Sequence, residues 1–162
     1  MKKYSWILIL ANLLLLLGLF NYSIIKKERI LSSGDLVLLE LAPVDPRSLM
    51  QGDYMRLRYA ISQNTADDRV LKRGFCVVKL NAKGIGEKVR LQKENTPKNA
   101  NELLIEYTAG RWGSINVGAE SYFFQEGEGE KYENAKYGGI KVDDKGNSVL
   151  VGLYDADLKK IE

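Results

Sequence analysis

Residues Trp6 to Ile25 read WILILANLLLLLGLFNYSII, twenty positions without a charged side chain. At about 1.5 Å of rise per residue the run makes roughly 30 Å of helix, the thickness of a bilayer's hydrocarbon core. Trp6 and Tyr22 stand near its ends, where amphipathic rings favour the membrane–water boundary, and lysines close both flanks. Asn12 is the strongly polar residue within Ile7–Phe20; a helix–helix contact and a lone Asn tolerated in lipid are both open readings. The rival to an anchor is a cleaved signal peptide. After the apolar core, however, Phe20-Asn21-Tyr22-Ser23-Ile24-Ile25 offers no A-x-A-like triplet, so a retained single-pass anchor is the expectation. Lys2, Lys3 and the α-amino group oppose Lys26, Lys27 and Arg29, so the charge count does not decide orientation. A short tail before a long polar body is the usual form of a signal anchor, which puts the body outside the cytoplasm.

The 162-residue chain carries a formal charge of +3, and its distribution matters more than its sign. Five of the 24 basic side chains and one of the 21 acidic ones lie in residues 1–29, leaving 19 against 20 in the other 133 residues. The body is therefore neutral, without the clustered Lys and Arg of a phosphate-tracking surface, and nucleic acid is not an expected partner. The absence of histidine excludes Ser-His-Asp and Cys-His hydrolases and His-ligated zinc. The single cysteine, Cys76, lies in Phe75-Cys76-Val77-Val78 and reads as a small buried hydrophobe. Carboxylate chemistry, Ser/Lys chemistry or no chemistry remains, with no cofactor and no metal expected.

Two segments follow: an anchor with basic flanks over 1–29 and a β domain over 30–162. Leu36–Leu41 is apolar up to Glu40 and stops at Pro43 and Pro46. Tyr54–Ala60 alternates, placing Met55, Leu57 and Tyr59 on one face and Tyr54, Arg56 and Arg58 on the other. Phe75–Leu80 and Ile85–Leu91 flank Asn81-Ala82-Lys83-Gly84, a hairpin signal. Leu103–Thr108 alternates again, and a glycine-spaced aromatic strand is predicted near Val117–Phe124. Gly139–Val142 and Ser148–Tyr154 close the chain across the turn at 143–147. Short turns or helices are predicted at Thr65–Leu71 and Gly129–Ala135, and a loop at Pro97–Asn101. Seven or eight strands in this length fit an all-β domain, a small barrel or sandwich, on a single N-terminal transmembrane helix.

Residues 52–59, Gly52-Asp53-Tyr54-Met55-Arg56-Leu57-Arg58-Tyr59, match G-D-Y-x-x-L-x-Y at every fixed position and follow Pro43-Val44-Asp45-Pro46-Arg47. The pairing resembles the GDYXXLXY protein family, short bacterial proteins with an N-terminal membrane anchor. The stretch Gly118-Ala119-Glu120-Ser121-Tyr122-Phe123-Phe124-Gln125-Glu126-Gly127 is similar to that family's second glycine-glutamate-aromatic segment, so the resemblance covers most of the body. It implies an envelope location, the bacterial inner membrane with the domain on the periplasmic side. It implies no established activity, and its members often accompany multi-pass membrane proteins, so a partner of that kind is implied as well. The residues themselves allow two roles. Gly52 lets the chain turn into the strand, Asp53 accepts backbone N–H bonds across the turn, and Leu57 and Tyr59 enter the core. The other role is recognition, through a surface built of Asp45, Arg47, Asp53 and Tyr54.

A competing layout is enzymatic. Membrane-anchored β proteases of the type I signal peptidase class place a nucleophilic serine shortly before a Gly-Asp pair, and Ser48-Leu49-Met50-Gln51-Gly52-Asp53 has that outline. Leu71-Lys72-Arg73-Gly74 resembles the strand region carrying their lysine, and a desolvated Lys72 would activate Ser48 without histidine. The expected Ser-Met pair and following proline are missing, so the resemblance is one of layout. Glu126-Gly127-Glu128-Gly129-Glu130 lacks the Asp/Asn-rich spacing of calcium loops and reads as a solvated acidic loop, with Glu128 and Glu130 opening a short helix.

Overall fold

The computed structural model describes residues 2–42, 50–51, 54–63 and 70–162. Helix α1 (Lys2–Ser33) contains the apolar segment, whose side chains are exposed along its length, and it is long and apolar enough to cross a membrane. The helix does not stop at Ile25. Lys26, Lys27, Glu28 and Arg29 are good helix formers, and nothing breaks the pattern before Gly34. There the Gly34 N–H donates to the Ile30 carbonyl (2.8 Å), and the Ser32 and Ser33 hydroxyls donate to the Arg29 carbonyl. A Cβ on Gly34 would lie 2.5 Å from the Ile30 oxygen and 3.0 Å from that of Val142, so glycine is required where helix gives way to sheet.

The body is mostly β, ten strands in three sheets among the described residues. The first sheet has β9 (Tyr137–Val142) between β1 (Asp35–Glu40) and β10 (Ser148–Tyr154), all antiparallel. Its register pairs Asp35 with Val142, so β1 leaves the helix end and β9 returns to it. The second sheet joins β2 (Met50–Gln51), β3 (Tyr54–Arg56) and β8 (Ser121–Phe123). The third orders β5 (Gly86–Gln92), β4 (Arg73–Leu80), β6 (Glu102–Ala109) and β7 (Ile115–Asn116). The predicted β4–β5 hairpin forms: the Asn81 side-chain oxygen accepts from the N–H groups of Lys83 and Ile85, and Gly84 takes φ +77°. The loop at 97–101 is present, and a four-residue helix, α2 (Gly129–Tyr132), lies within the predicted 129–135 segment.

One core joins the sheets. Val37 and Leu39 from β1, Met55 from β3, Cys76 and Val78 from β4, Ile105 and Tyr107 from β6, Ile140 and Val142 from β9 and Leu153 from β10 are all buried in it. β1 reads as a continuous apolar run because both its faces are covered. The β4–β5 turn lies across it, with the Leu38 N–H donating to the Gly84 carbonyl and Gly86 pressed against Val37.

Two predicted strands are shorter than their apolar patterns. Of the Val117–Phe124 strand only β8 forms, and a turn separates it from β7, because Gly118 adopts φ +80° and the Glu120 carboxylate accepts from the N–H groups of Val117 and Gly118. The Tyr54–Ala60 strand ends at Arg56 and resumes as a single bridge from Tyr59 to Leu41, before a 3-10 turn at Ala60–Ser62. Of the predicted 65–71 turn, residues 65–69 lie outside the described residues.

Candidate functional site

The alternation across residues 54–59 divides the motif in two. Met55, Leu57 and Tyr59 are buried, whereas Tyr54, Arg56 and Arg58 face solvent. The buried half is locked to the second glycine-glutamate segment. The Leu57 N–H donates to the Glu120 carbonyl at 2.8 Å, and the Tyr59 hydroxyl donates to the Ala119 carbonyl at 2.6 Å. Burial, and after it the nearby Glu120 carboxylate, pushes the Tyr59 phenol far above its ordinary 10.0, so it is a permanent donor. The ring lies against Gly138 of β9, where a Cβ would come within 2.8 Å of it. A backbone free of side chain is needed there because the ring fills that space. Leu57 and Tyr59 are thus structural, clamping the second sheet to the first.

The exposed half makes a surface. In the β3–β8 register Tyr54 stands opposite Phe123 and Arg56 opposite Ser121, so these four share one face. The Tyr54 and Phe123 rings lie 5.8 Å apart at 39°, with Phe123 74% exposed and Tyr54 37% exposed. On the inner face Tyr122 packs edge-on against Tyr132 at 5.1 Å, and Phe124 lies 5.5 Å from the same ring. The Tyr122 phenol is pushed up to about 12, by burial first and then by the hydrogen bond with Tyr132. α2 therefore backs the strand that presents Phe123, and Glu128 pairs with Lys131 across it at 2.6 Å.

Asp45, Arg47, Gly52 and Asp53 lie outside the described residues, as does Ser48. Lys72, the other half of the enzymatic layout, precedes β4 with its side chain in solvent and its carbonyl accepting from Ala109. Phe123 was not among the residues singled out from sequence. Its signal is its place one residue beyond Tyr122, opposite in alternation to an inward ring.

A third ordered cluster joins β5 to β6. Arg90 forms a bidentate pair with Glu102 at 2.8 and 2.9 Å, and Asn99 donates to the same carboxylate through its backbone and side-chain nitrogens. With its side chain only 7% exposed, Glu102 is held well below the usual carboxylate range, at about 2, by Arg90 first and Asn99 second. It closes the 93–101 loop onto the sheet and presents nothing to a ligand.

No curated protein and no solved structure matches the chain. The family model described as GDYXXLXY protein matches residues 16–153, which span the second half of the apolar helix, both motif segments and all three sheets. The chain belongs to the GDYXXLXY protein family.

Proposed function

We propose that this chain is a non-catalytic, single-pass protein of the bacterial inner membrane. Its extracytoplasmic, sandwich-like β domain docks a multi-pass membrane partner through the outer face of β3 and β8. The observation that carries the reading is the exposed Tyr54–Phe123 ring pair, flanked by Arg56 and Arg58 on the same side of the alternating strand. Tyr and Arg are enriched at binding centres, and two rings already paired across a strand pair lose little freedom on docking. A scattered surface apolar residue needs no explanation, but this pair sits on the family motif and is braced from behind by Tyr122 and Tyr132.

The anchor supports the same reading. A helix exposing a twenty-residue uncharged, mostly apolar run is a poor fit to water and a good fit to lipid. Because α1 continues to Ser33, Lys26–Ser33 advance only about 12 Å, against the roughly 28 Å of the same eight residues extended. The domain is held near the bilayer, where membrane proteins meet it at high effective concentration. The exposed Lys72 favours the non-catalytic reading over the Ser48/Lys72 layout.

The test is co-purification from native membranes in mild detergent, comparing wild type with Phe123→Ser and Arg56→Ala. Loss of a polytopic membrane protein from both variants, with thermal unfolding unchanged, is the expected result. Retention in both, or loss accompanied by unfolding, contradicts a docking face.

A further inference from the structure

The junction between α1 and the β9–β10 turn holds a second site, and its chemistry differs from that of the aromatic face. Ile30 is buried against the body, Lys26 Nζ donates to Asn147 Oδ1 at 2.6 Å, and Lys141 Nζ donates to the Leu31 carbonyl. The turn itself is rigid, since the Asp143 carboxylate accepts from the Lys145 and Asn147 N–H groups and from the Asn147 amide. Between helix and turn lies a groove of about 290 Å³, with Tyr22, Ile25 and Ile30 among its apolar walls. Three cations, Lys26, Arg29 and Lys145, line it together with three carboxylates, Asp35, Asp143 and Asp144. Lys26 and Asp143 are occupied in holding the turn. Arg29, Lys145, Asp35 and Asp144 make no side-chain hydrogen bond or ion pair with other described residues.

Position and charge together identify an occupant. If Trp6–Ile25 crosses the hydrocarbon, Tyr22 and Ile25 lie at its edge, and Lys26 to Arg29 advance about 5 Å into the headgroup band, itself roughly 5–8 Å thick. The volume is at the small end of ligand sites, of order 300 Å³. The lining charges cancel, which suits neither an anion nor a cation but a ligand carrying one of each. We infer that this groove binds the headgroup of a zwitterionic phospholipid bearing a primary ammonium. The phosphate lies on Arg29 and Lys145, and the ammonium on Asp35 and Asp144. A primary ammonium donates three hydrogen bonds that a quaternary one cannot, so the carboxylates select phosphatidylethanolamine over phosphatidylcholine. Phosphatidylglycerol has no cation to offer them. The site rests on the membrane-anchored reading above and is independent of the partner face.

The experiment uses the full chain in nanodiscs containing equal parts of phosphatidylethanolamine, phosphatidylcholine and phosphatidylglycerol with matched acyl chains. Carbonate-resistant flotation is checked first, and lipids retained on gentle extraction are counted by native mass spectrometry. Wild type is expected to enrich phosphatidylethanolamine about two- to five-fold over either competitor, the size of one exposed charge pair. Asp35→Asn with Asp144→Asn removes that preference and admits phosphatidylglycerol, whereas Arg29→Gln with Lys145→Gln lowers retention of all three. Flotation with equal retention, or with phosphatidylglycerol preferred by wild type, overturns the headgroup site alone. Failure to float overturns the membrane reading and the site with it. The wild-type comparison decides by itself if a variant misfolds.

Discussion

Tyr59→Phe removes one oxygen from a ring whose position is otherwise unchanged. The hydroxyl donates to the Ala119 carbonyl at 2.6 Å, and both residues are buried. A net hydrogen bond is worth about 0.5–1.5 kcal/mol, and leaving the carbonyl without its donor raises the loss to about 1–3 kcal/mol. The ring stays, so no cavity adds to the cost. For a domain of this size each kcal/mol moves Tm by about 3–4 °C, which gives a fall of about 3–12 °C. Tyr54→Phe, at an exposed position, is expected to remain within about 0.5 kcal/mol of wild type. A pH series adds an independent readout. Because the folded state raises the Tyr59 pKa, it keeps a proton that the unfolded chain releases. Stability is therefore complete below pH 10.0 and declines as pH climbs above it. Tyr59→Phe removes much of that alkaline decline and leaves the smaller part due to Tyr122. The assay is thermal unfolding of the full chain in detergent, followed by circular dichroism in the β region. Equal Tm values for Tyr59→Phe and wild type, or an unchanged alkaline limb, would refute the clamp between the motif's two segments.

Gly138→Ala forces a Cβ to within 2.8 Å of the Tyr59 ring and is expected to cost about 1–3 kcal/mol by overpacking, read by the same melts. Glu102, held at about 2 in the folded state against an ordinary 4.5, contributes stability that is present above pH 4.5 and is lost as pH falls towards 2. Arg90→Gln shifts that acid limb upward in an acid titration of Tm. Tyr107→Phe removes a buried hydroxyl that has no hydrogen-bond partner among the described residues, so its Tm is expected to equal or exceed that of wild type. The full chain is expected to take no label from a serine-reactive fluorophosphonate; labelling abolished by both Ser48→Ala and Lys72→Ala would restore the hydrolase reading.

Elements whose fate depends on local pattern were legible from sequence. The β4–β5 hairpin followed from Asn81 and Gly84 between two apolar runs, and the inward set Met55, Leu57 and Tyr59 from strict alternation. What escaped was decided by side-chain capping or by contacts between distant segments. No local signal in 117–124 shows that the Glu120 carboxylate turns back to cap two N–H groups, and that turn is what aims Phe123 outward. The continuation of α1 to Ser33 was readable in Lys26–Arg29, but its attachment to Asn147 joins residues 121 positions apart. The motif itself was legible as a pattern. Its division into a buried clamp and an exposed aromatic face needed the partner strand and the Ala119 carbonyl.

Docking through the aromatic face is tested most directly by placing a photo-crosslinking amino acid at position 123 and, as a control, at the exposed Val89 of β5, then irradiating intact cells. A discrete adduct with a polytopic membrane protein from position 123, absent from position 89, is the predicted result. No adduct at 123, or the same adducts from both positions, would contradict it.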